Sequence, residues 1–340
     1  DRPLNVWLED DLEDFLDEII RDEGHGDYTG RIRCTECRSP LIDEYRCDGC
    51  FTRAPFCDVC IVALHQDNPF HIVQHWSGSA WKRMGLRALG LRMQLGHRRG
   101  EICPGVLART PEEVEAAETD SFCIVDTEMI HEVSLDFCTC GTAPSRTVQL
   151  LRARLYPATT LRPRSAATFR VLRKFHMMSF ESKCSAYEFY NALARKTNNT
   201  GTFQPRNRYS EFLRMTREWR HIQMLKRSGR IHITGGARDI EAGACALLCP
   251  ACPQPGKNLP TEGEWRTVSR EKRFLYALFL AIDANFRMKR KQVSSEEADP
   301  GLNRGAAFYS EVKAYMEHVG KHWDMEQEAS LSSAQQRFAG

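Results

Sequence analysis

No stretch of this 340-residue chain approaches the roughly 18 consecutive apolar residues of a membrane-spanning helix, which predicts a protein that does not cross a bilayer. The opening residues are acidic, so neither a secretory nor a mitochondrial leader is expected there. An opening methionine is missing too, since the chain starts at Asp1, and this predicts a fragment or a trimmed gene model. Disulfides are not expected either. Fourteen cysteines are many, but they cluster instead of scattering, which favours metal binding in a reducing compartment, the cytosol or the nucleus. The length leaves room for two or three domains, and a hydrophobic content of 42% is enough to build their cores.

The densest cysteine stretch runs from Cys34 to Trp76. It reads Cys34-x2-Cys37, Cys47-x2-Cys50 and Cys57-x2-Cys60, followed by His65 and His71. The two sulfurs of such a knuckle converge on one point, with backbone N–H groups facing them. Eight ligands of this kind suit two tetrahedral zinc ions. Three knuckles in so short a span predict a cross-brace. In it Cys34, Cys37, Cys57 and Cys60 share one ion, and Cys47, Cys50, His65 and His71 share the other. His75 falls outside the set. The spacing resembles a B-box zinc finger more than a RING, which would close on a further Cys-x2-Cys where this chain has histidines. Metal would carry much of the folding energy of so short a segment.

Charge is unevenly distributed. Residues 1–30 hold eleven acidic and two basic side chains, a balance of −9, whereas residues 141–230 hold nineteen basic and four acidic ones, a balance of +15. A segment that basic within a chain of net charge +2 points to a polyanion partner; a solvated basic surface is the plain alternative.

Coarse periodicity supplies an α+β outline. Leu8, Leu12, Phe15, Leu16 and Ile19 share one face of a helix over residues 4–21, ended by Gly24 and Gly26 and expected to pack on the zinc module. Residues 84–140 read as a small β-rich unit, with strands at 122–126 and 130–137 running into Cys138-x-Cys140. That pair, with His97 and Cys103, forms a candidate third metal set, and His131 is the next candidate ligand. Cys123 reads as core. Residues 144–230 read mainly as helices, broken at Pro157 and Pro163 and including a capping box at Ser185 and Glu188. Arg214, Arg217 and Arg220 recur every third residue on the last of these helices and are the candidate DNA contacts. Tyr187, Phe189, Tyr190, Trp219 and Cys184 read as core. Cys249-x2-Cys252 is a further knuckle with only Cys245 near it. Phe274 to Ile282 reads as a buried strand ending at Asp283, a position where an RNase H-like nuclease places a magnesium ligand. Residues 308–319 read as a final helix.

Several stretches together resemble the cysteine-cluster proteins associated with fungal KDZ (Kyakuja-Dileera-Zisupton) transposases. The matching words include His71-Ile-Val-Gln-His-Trp76, Gly90-Leu-Arg-Met-Gln-Leu-Gly-His97, Phe137-Cys-Thr-Cys140, Gln149-Leu-Leu-Arg-Ala-Arg154 and Tyr187-Glu-Phe-Tyr-Asn-Ala-Leu193. Cys249-Pro-Ala-Cys-Pro253 and Asp283-Ala-Asn-Phe-Arg287 extend the match toward the transposase itself. The resemblance implies a zinc-binding, DNA-associated nuclear protein, with protein partners of the zinc module as the alternative. The implied order is an acidic helix (1–30), a B-box-like module (31–80), a cysteine-cluster unit (81–180), a basic helical linker (181–245), the opening of an RNase H-like domain (246–330) and a tail (331–340). Transposases of this type resemble DDE enzymes, in which three carboxylates hold two magnesium ions. Asp283 matches the first carboxylate and the others would lie beyond residue 340, so catalysis by this chain alone is not expected. The words after Gln327 also depart from the family pattern, as a truncated or frame-shifted copy would.

Overall fold

A computed structural model describes residues 2–98, 100–199 and 205–229, and beyond these 232, 234–241, 243–247, 249–254, 257–259, 267–277, 279, 300–302, 306, 317, 318, 320 and 321. The chain divides into two compact units, residues 1–217 and 218–340. It mixes helix and sheet, with two sheets among the described residues.

The first unit opens with a continuous helical stretch: α1 (Pro3–Val6), a π-turn (Trp7–Asp11) and α2 (Leu12–Glu23), with Gly24 at its C-cap. Its periodicity is as expected, but its packing is not. Leu8, Phe15, Leu16 and Ile19 are exposed, and the stretch meets the first cysteine-rich module at its C-terminal end. There Arg53 pairs with Asp22 at 3.0 Å, and Arg46 donates to the carbonyls of Asp22 and Gly24, both at 2.8 Å. Trp81 Nε1 donates to the Gly24 carbonyl at 2.7 Å. Polar end contacts therefore dock the helix and leave its apolar face outward.

The first cysteine-rich module is a three-stranded antiparallel meander, β1 (Tyr45–Cys47), β2 (Val73–Trp76) and β3 (Trp81–Met84), with α3 (Asp58–Leu64) against β1. Its small core joins Tyr45, Phe56, Ile61 and Val73 to Leu86 and Leu91 from the segment that follows.

The second sheet has strand order β4-β6-β5-β8-β7, from β4 (Arg92–Gln94), β5 (Phe122–Val125), β6 (Ile130–Asp136), β7 (Leu155–Pro157) and β8 (Ser165–Thr168). β5–β6 and β7–β8 are antiparallel hairpins, while β4–β6 and β5–β8 are parallel. Two short helices, α4 (Pro104–Leu107) and α5 (Pro111–Thr119), lie in the crossover from β4 to β5, and α6 (Arg146–Arg152) links β6 to β7. Phe122, Ile124, Val133, Leu150 and Ala166 form a core with Phe70 of the first cysteine-rich module packed against it.

The β7–β8 hairpin corrects the helical reading of residues 155–168. Pro157 ends one strand and Pro163 lies in the loop, so neither interrupts a helix; β-branched and small residues flank them instead. The expected helices follow as α7 (Phe169–Glu181), α8 (Ala186–Thr197) and α9 (Tyr209–Arg227). Phe175, Phe189, Tyr190 and Phe212 join them through ring contacts of 5.1–6.0 Å. The capping box at Ser185 and Glu188 is present. Tyr187 is exposed and Cys184 half-buried, so neither is core; Tyr187 instead meets Tyr209 edge-on at 5.7 Å.

In the second unit Leu225, Cys245 and Ala306 form a small core. Residues 270–276 form a 3-10 turn, so the expected strand does not begin at Phe274. Phe274 and Leu275 are exposed there, without the paired neighbours that a buried strand requires. The rest of that segment, with Asp283, Glu296, Glu297 and Asp299, lies outside the described residues, as does most of 308–319.

Candidate metal centres

The structure brings twelve Cys and His side chains into three groups of four, the ligand atoms within each lying inside 4.8 Å of one another. The first group is Cys34, Cys37, Cys57 and Cys60. The Cys37 and Cys57 sulfurs lie 3.8 Å apart, and the Cys57 N–H donates to Cys34 Sγ at 3.4 Å. Burial raises the Cys34 thiol, but backbone N–H groups of Cys57, Cys37 and Glu36 outweigh it and the net direction is down. The Ser39 hydroxyl and N–H hold Cys37 down at about 6, whereas burial pushes Cys57 and Cys60 up. The site thus has thiols that ionise readily beside thiols that do not, and a cation is what would bring all four to thiolate.

The second group is Cys47, Cys50, His65 and His71. His71 Nδ1 lies 3.4 Å from Cys47 Sγ and 3.5 Å from Cys50 Sγ, and His65 Nε2 lies 3.4 Å from Cys50 Sγ. His65 sits at the C-cap of α3, where its Nδ1 donates to the Ile61 carbonyl at 2.7 Å. That bond fixes the tautomer and leaves the Nε2 lone pair toward the sulfurs, the arrangement expected of a metal-ligating histidine. Burial raises Cys47 to about 12 and lowers His71, keeping this imidazole neutral and able to ligate. His75 stands apart, paired with Asp43 at 3.1 Å.

The third group is His97, Cys103, Cys138 and Cys140, and the parallel β4–β6 pair explains how it forms. Gln94 and Asp136 are partners at the C-terminal ends of the two strands, and the Leu95 N–H donates to the Asp136 carbonyl at 2.8 Å. His97 lies three residues beyond one end and Cys138 two beyond the other, so both emerge at the same sheet edge. His97 Nε2 lies 3.1 Å from Cys138 Sγ and 3.6 Å from Cys140 Sγ, and Cys103 Sγ lies 3.8 Å from Cys140 Sγ. The Thr139 N–H lowers Cys103 to about 5, while hydrogen bonding with Cys138 and Cys103 raises Cys140 to about 11. His131, the next candidate, is elsewhere, its ring 5.5 Å from that of Phe70.

Residues that the motif reading did not single out hold this third group. Gln149 is buried; its Oε1 accepts from the Cys138 N–H at 2.9 Å and its Nε2 donates to the Cys138 carbonyl at 3.0 Å. Gln94 Oε1 accepts the Cys103 N–H at 3.2 Å. Buried Asp136 takes two bonds from Arg92, at 2.8 and 2.9 Å, and one from Arg109 at 2.6 Å. These hydrogen bonds outweigh burial and keep its carboxyl below the usual range. Away from this group, fully buried Asp126 pairs with Arg170 and accepts from Thr168 Oγ1 at 2.5 Å, while the same Thr168 hydroxyl caps α7 by accepting from the Val171 N–H. The pairs of Asp136 and Asp126 join residues 27 to 44 positions apart, and nothing in the local sequence marks them.

Residues 86–201 match the family model of the CxC2 like cysteine cluster associated with KDZ transposases. The CxC2 segment therefore contains the third group and the whole second sheet, while Cys34 to His71 precede it. No curated protein and no solved structure matches the chain.

The other candidate residues fare differently. Cys249 and Cys252 remain a pair: among the described residues no third Cys, His, Asp or Glu joins them. Gln254 and Asn258 side chains instead bond to the knuckle's carbonyls. Arg214 donates from Nε and Nη2 to the Ala158 carbonyl, at 3.2 and 2.7 Å, so its guanidinium holds the protein backbone. Arg217 and Arg220 are exposed on the same helix.

Proposed function

We propose that this chain is a zinc-binding, DNA-associated, nuclear portion of a KDZ-type transposase, in which the metals build the scaffold and the basic segment 141–230 meets DNA. The observation that carries the reading is the third ligand group, a Cys3His set inside the CxC2 segment with its ligand atoms within 4.8 Å. Sulfur and imidazole donors in fours suit zinc, whereas magnesium and calcium want oxygen. All three groups are fully supplied by protein, as structural sites are, with no position left for a reacting water. In this reading Asp283 would be the first carboxylate of an RNase H-like domain that starts in the second unit.

Two measurements test the reading. Elemental analysis of protein purified without added metal should give about three zinc per chain. Duplex binding should weaken steeply with salt, because phosphate contacts act through counterion release. A metal content below two per chain, or no binding at about 50 mM salt, would remove it.

Protein recognition by a B-box-like module is the second reading, favoured by Ile42 and Phe51, which stand fully exposed on that module. Ile42→Ser with Phe51→Ser should leave DNA affinity unchanged. Lost DNA binding in that variant, with zinc content intact, would count against a separate protein-binding face.

A further inference from the structure

Arg214 is spent on the Ala158 carbonyl, which makes the loop it holds the part of this surface fixed from below. Ala158 opens the β7–β8 loop, and its N–H closes the loop base by donating to the Ser165 carbonyl at 2.9 Å. Two residues on, the Thr160 carbonyl accepts from Thr147 Oγ1 at 2.6 Å. Pro163 is buried. The loop is thus pinned at residues 158, 160 and 163, and what projects from it is Leu161 and Arg162 between the pins and Arg164 just after the last. Leu161 is 90% exposed. Pinned in this way, it cannot fold back to shed that exposure.

The surroundings indicate what such a tip can meet. Residues 141–180 contain eight basic side chains and no acidic one. Arg170 is paired with Asp126, but Arg146, Arg152, Arg154, Arg162, Arg164, Arg173 and Lys174 are exposed. Arg164 lies 3.8 Å from Asp120, itself exposed, and an ion pair that long and that wet contributes little. Other large apolar residues stand out from the surface, but among the described residues the most exposed aliphatic one, Ile42, lies beside Asp43 and Glu44, which would repel phosphate. Leu161 combines an apolar tip with adjoining arginines. That pairing is what minor-groove proteins use, with arginines entering the narrow groove and an aliphatic wedge prying a base step apart. The groove is about 6 Å wide, which admits a loop tip and excludes a helix.

We propose that the β7–β8 loop enters the DNA minor groove, with Leu161 wedged at a base step, Arg162 and Arg164 in the groove beside it, and Arg214 as the positioning residue that fixes the loop. This rests on the DNA-associated reading above. It differs from a stripe of α9 arginines tracking phosphates, because it assigns Arg214 to the loop and contact to the hairpin.

The test uses the full chain and a duplex of about 20 base pairs with 2-aminopurine at a central T·A step, the most easily unstacked kind. Wild type should bind and raise the fluorescence of the probe base. Leu161→Ala should abolish that rise and weaken binding about tenfold, leaving the salt slope unchanged. Arg162→Ala with Arg164→Ala should lower the slope by about 1–2. These side chains are exposed, so zinc content and melting temperature should match wild type. Arg214→Lys should weaken binding in the wild-type background and not further in the Arg162→Ala, Arg164→Ala background; an additive loss would overturn its positioning role. Wild type that binds, with every loop variant indistinguishable from it, overturns the loop and leaves the DNA reading standing. Wild type that fails to bind at about 50 mM salt overturns both.

Discussion

Gly96 is the position where the backbone and the third metal group constrain each other most tightly. It has φ +78°, and a Cβ placed there would lie 2.6 Å from the Cys138 Cβ and 3.4 Å from Gln149 Oε1. Gly96→Ala therefore carries two penalties. The left-handed backbone costs an alanine about 1–2 kcal/mol. The overlap is with a ligand-bearing residue that Gln149 holds on both its N–H and its carbonyl, so it cannot yield freely, and overpacking of that kind costs about 1–3 kcal/mol more. The total is about 2–5 kcal/mol, concentrated at a site whose next residue is the ligand His97. Gly90 provides the control. It has φ +85° but nothing within 4 Å of a Cβ placed there, so Gly90→Ala carries the backbone cost alone. For a unit of this size each kcal/mol moves the melting temperature by about 2–4 °C. Thermal unfolding followed by circular dichroism, with zinc measured on the same samples, should show Gly96→Ala melting several degrees below Gly90→Ala and holding about one zinc fewer. Equal melting temperatures with equal metal content would refute the close-approach argument, because the two positions differ in that contact and share the left-handed conformation.

Three further outcomes follow from the site chemistry. Cys47 at about 12 and Cys140 at about 11 are protonated near neutral pH, whereas Cys37 at about 6 and Cys103 at about 5 are already thiolates, so zinc must displace protons from the first pair and not the second. Zinc affinity should then rise as pH goes from 7 to 9, and calorimetry in two buffers of different ionisation heat should show Cys140→Ser releasing about one proton fewer at pH 7.5, with Cys103→Ser unchanged in proton count. Asp126→Asn leaves Arg170 without its carboxylate; since Arg170 is 49% exposed, urea unfolding should show a loss of about 2–3 kcal/mol, below the 3–5 typical of a fully buried pair. With magnesium or manganese the purified chain should neither nick nor join DNA, and cleavage abolished by Asp283→Ala would show that the further carboxylates are already present.

The sequence carried the local features well and the long-range ones poorly, for a physical reason. A Cys-x2-Cys knuckle, an N-cap serine with glutamate at the third helical position, and a helical apolar stripe are written within a few residues, so α8, its capping box and the sulfur pair of each knuckle could be read directly, whereas the third group forms only because the β4–β6 pairing brings His97 and Cys103 to Cys138 and Cys140. Strand order cannot be read that way. The β7–β8 hairpin hid behind two prolines that normally signal a break, and here one ends a strand while the other is buried in the loop. Arg214 matched a phosphate-tracking stripe by spacing, but spacing fixes only the helix face, and the carbonyl of Ala158 lies 56 positions earlier in the chain. The acidic helix shows the converse. Its apolar stripe was legible, yet a stripe specifies what could be buried and not whether a partner surface exists; the bonds to Asp22 and Gly24 attach the helix by its end.

The third ligand group also bears on how the second sheet is specified. β4 contributes three residues, paired with the end of β6 in parallel, and a strand so short holds its register weakly through hydrogen bonds alone. A slip of one residue would turn Arg92 away from Asp136 and carry His97 about 3.3 Å along the strand direction, out of reach of Cys138 and Cys140. A zinc ion accepts ligand distances within about 0.2 Å, so filling the site is compatible with the native register and not with its neighbours. Metal at this position would therefore select the strand pairing as well as add stability. It would close a loop of more than forty residues between His97 and Cys140 whose entropy the short strand cannot offset by itself. On this argument the edge strand is the element that chelation releases first. Hydrogen exchange of Leu95, whose N–H bonds to the Asp136 carbonyl at 2.8 Å, should accelerate before that of Ile124 in the centre of the sheet.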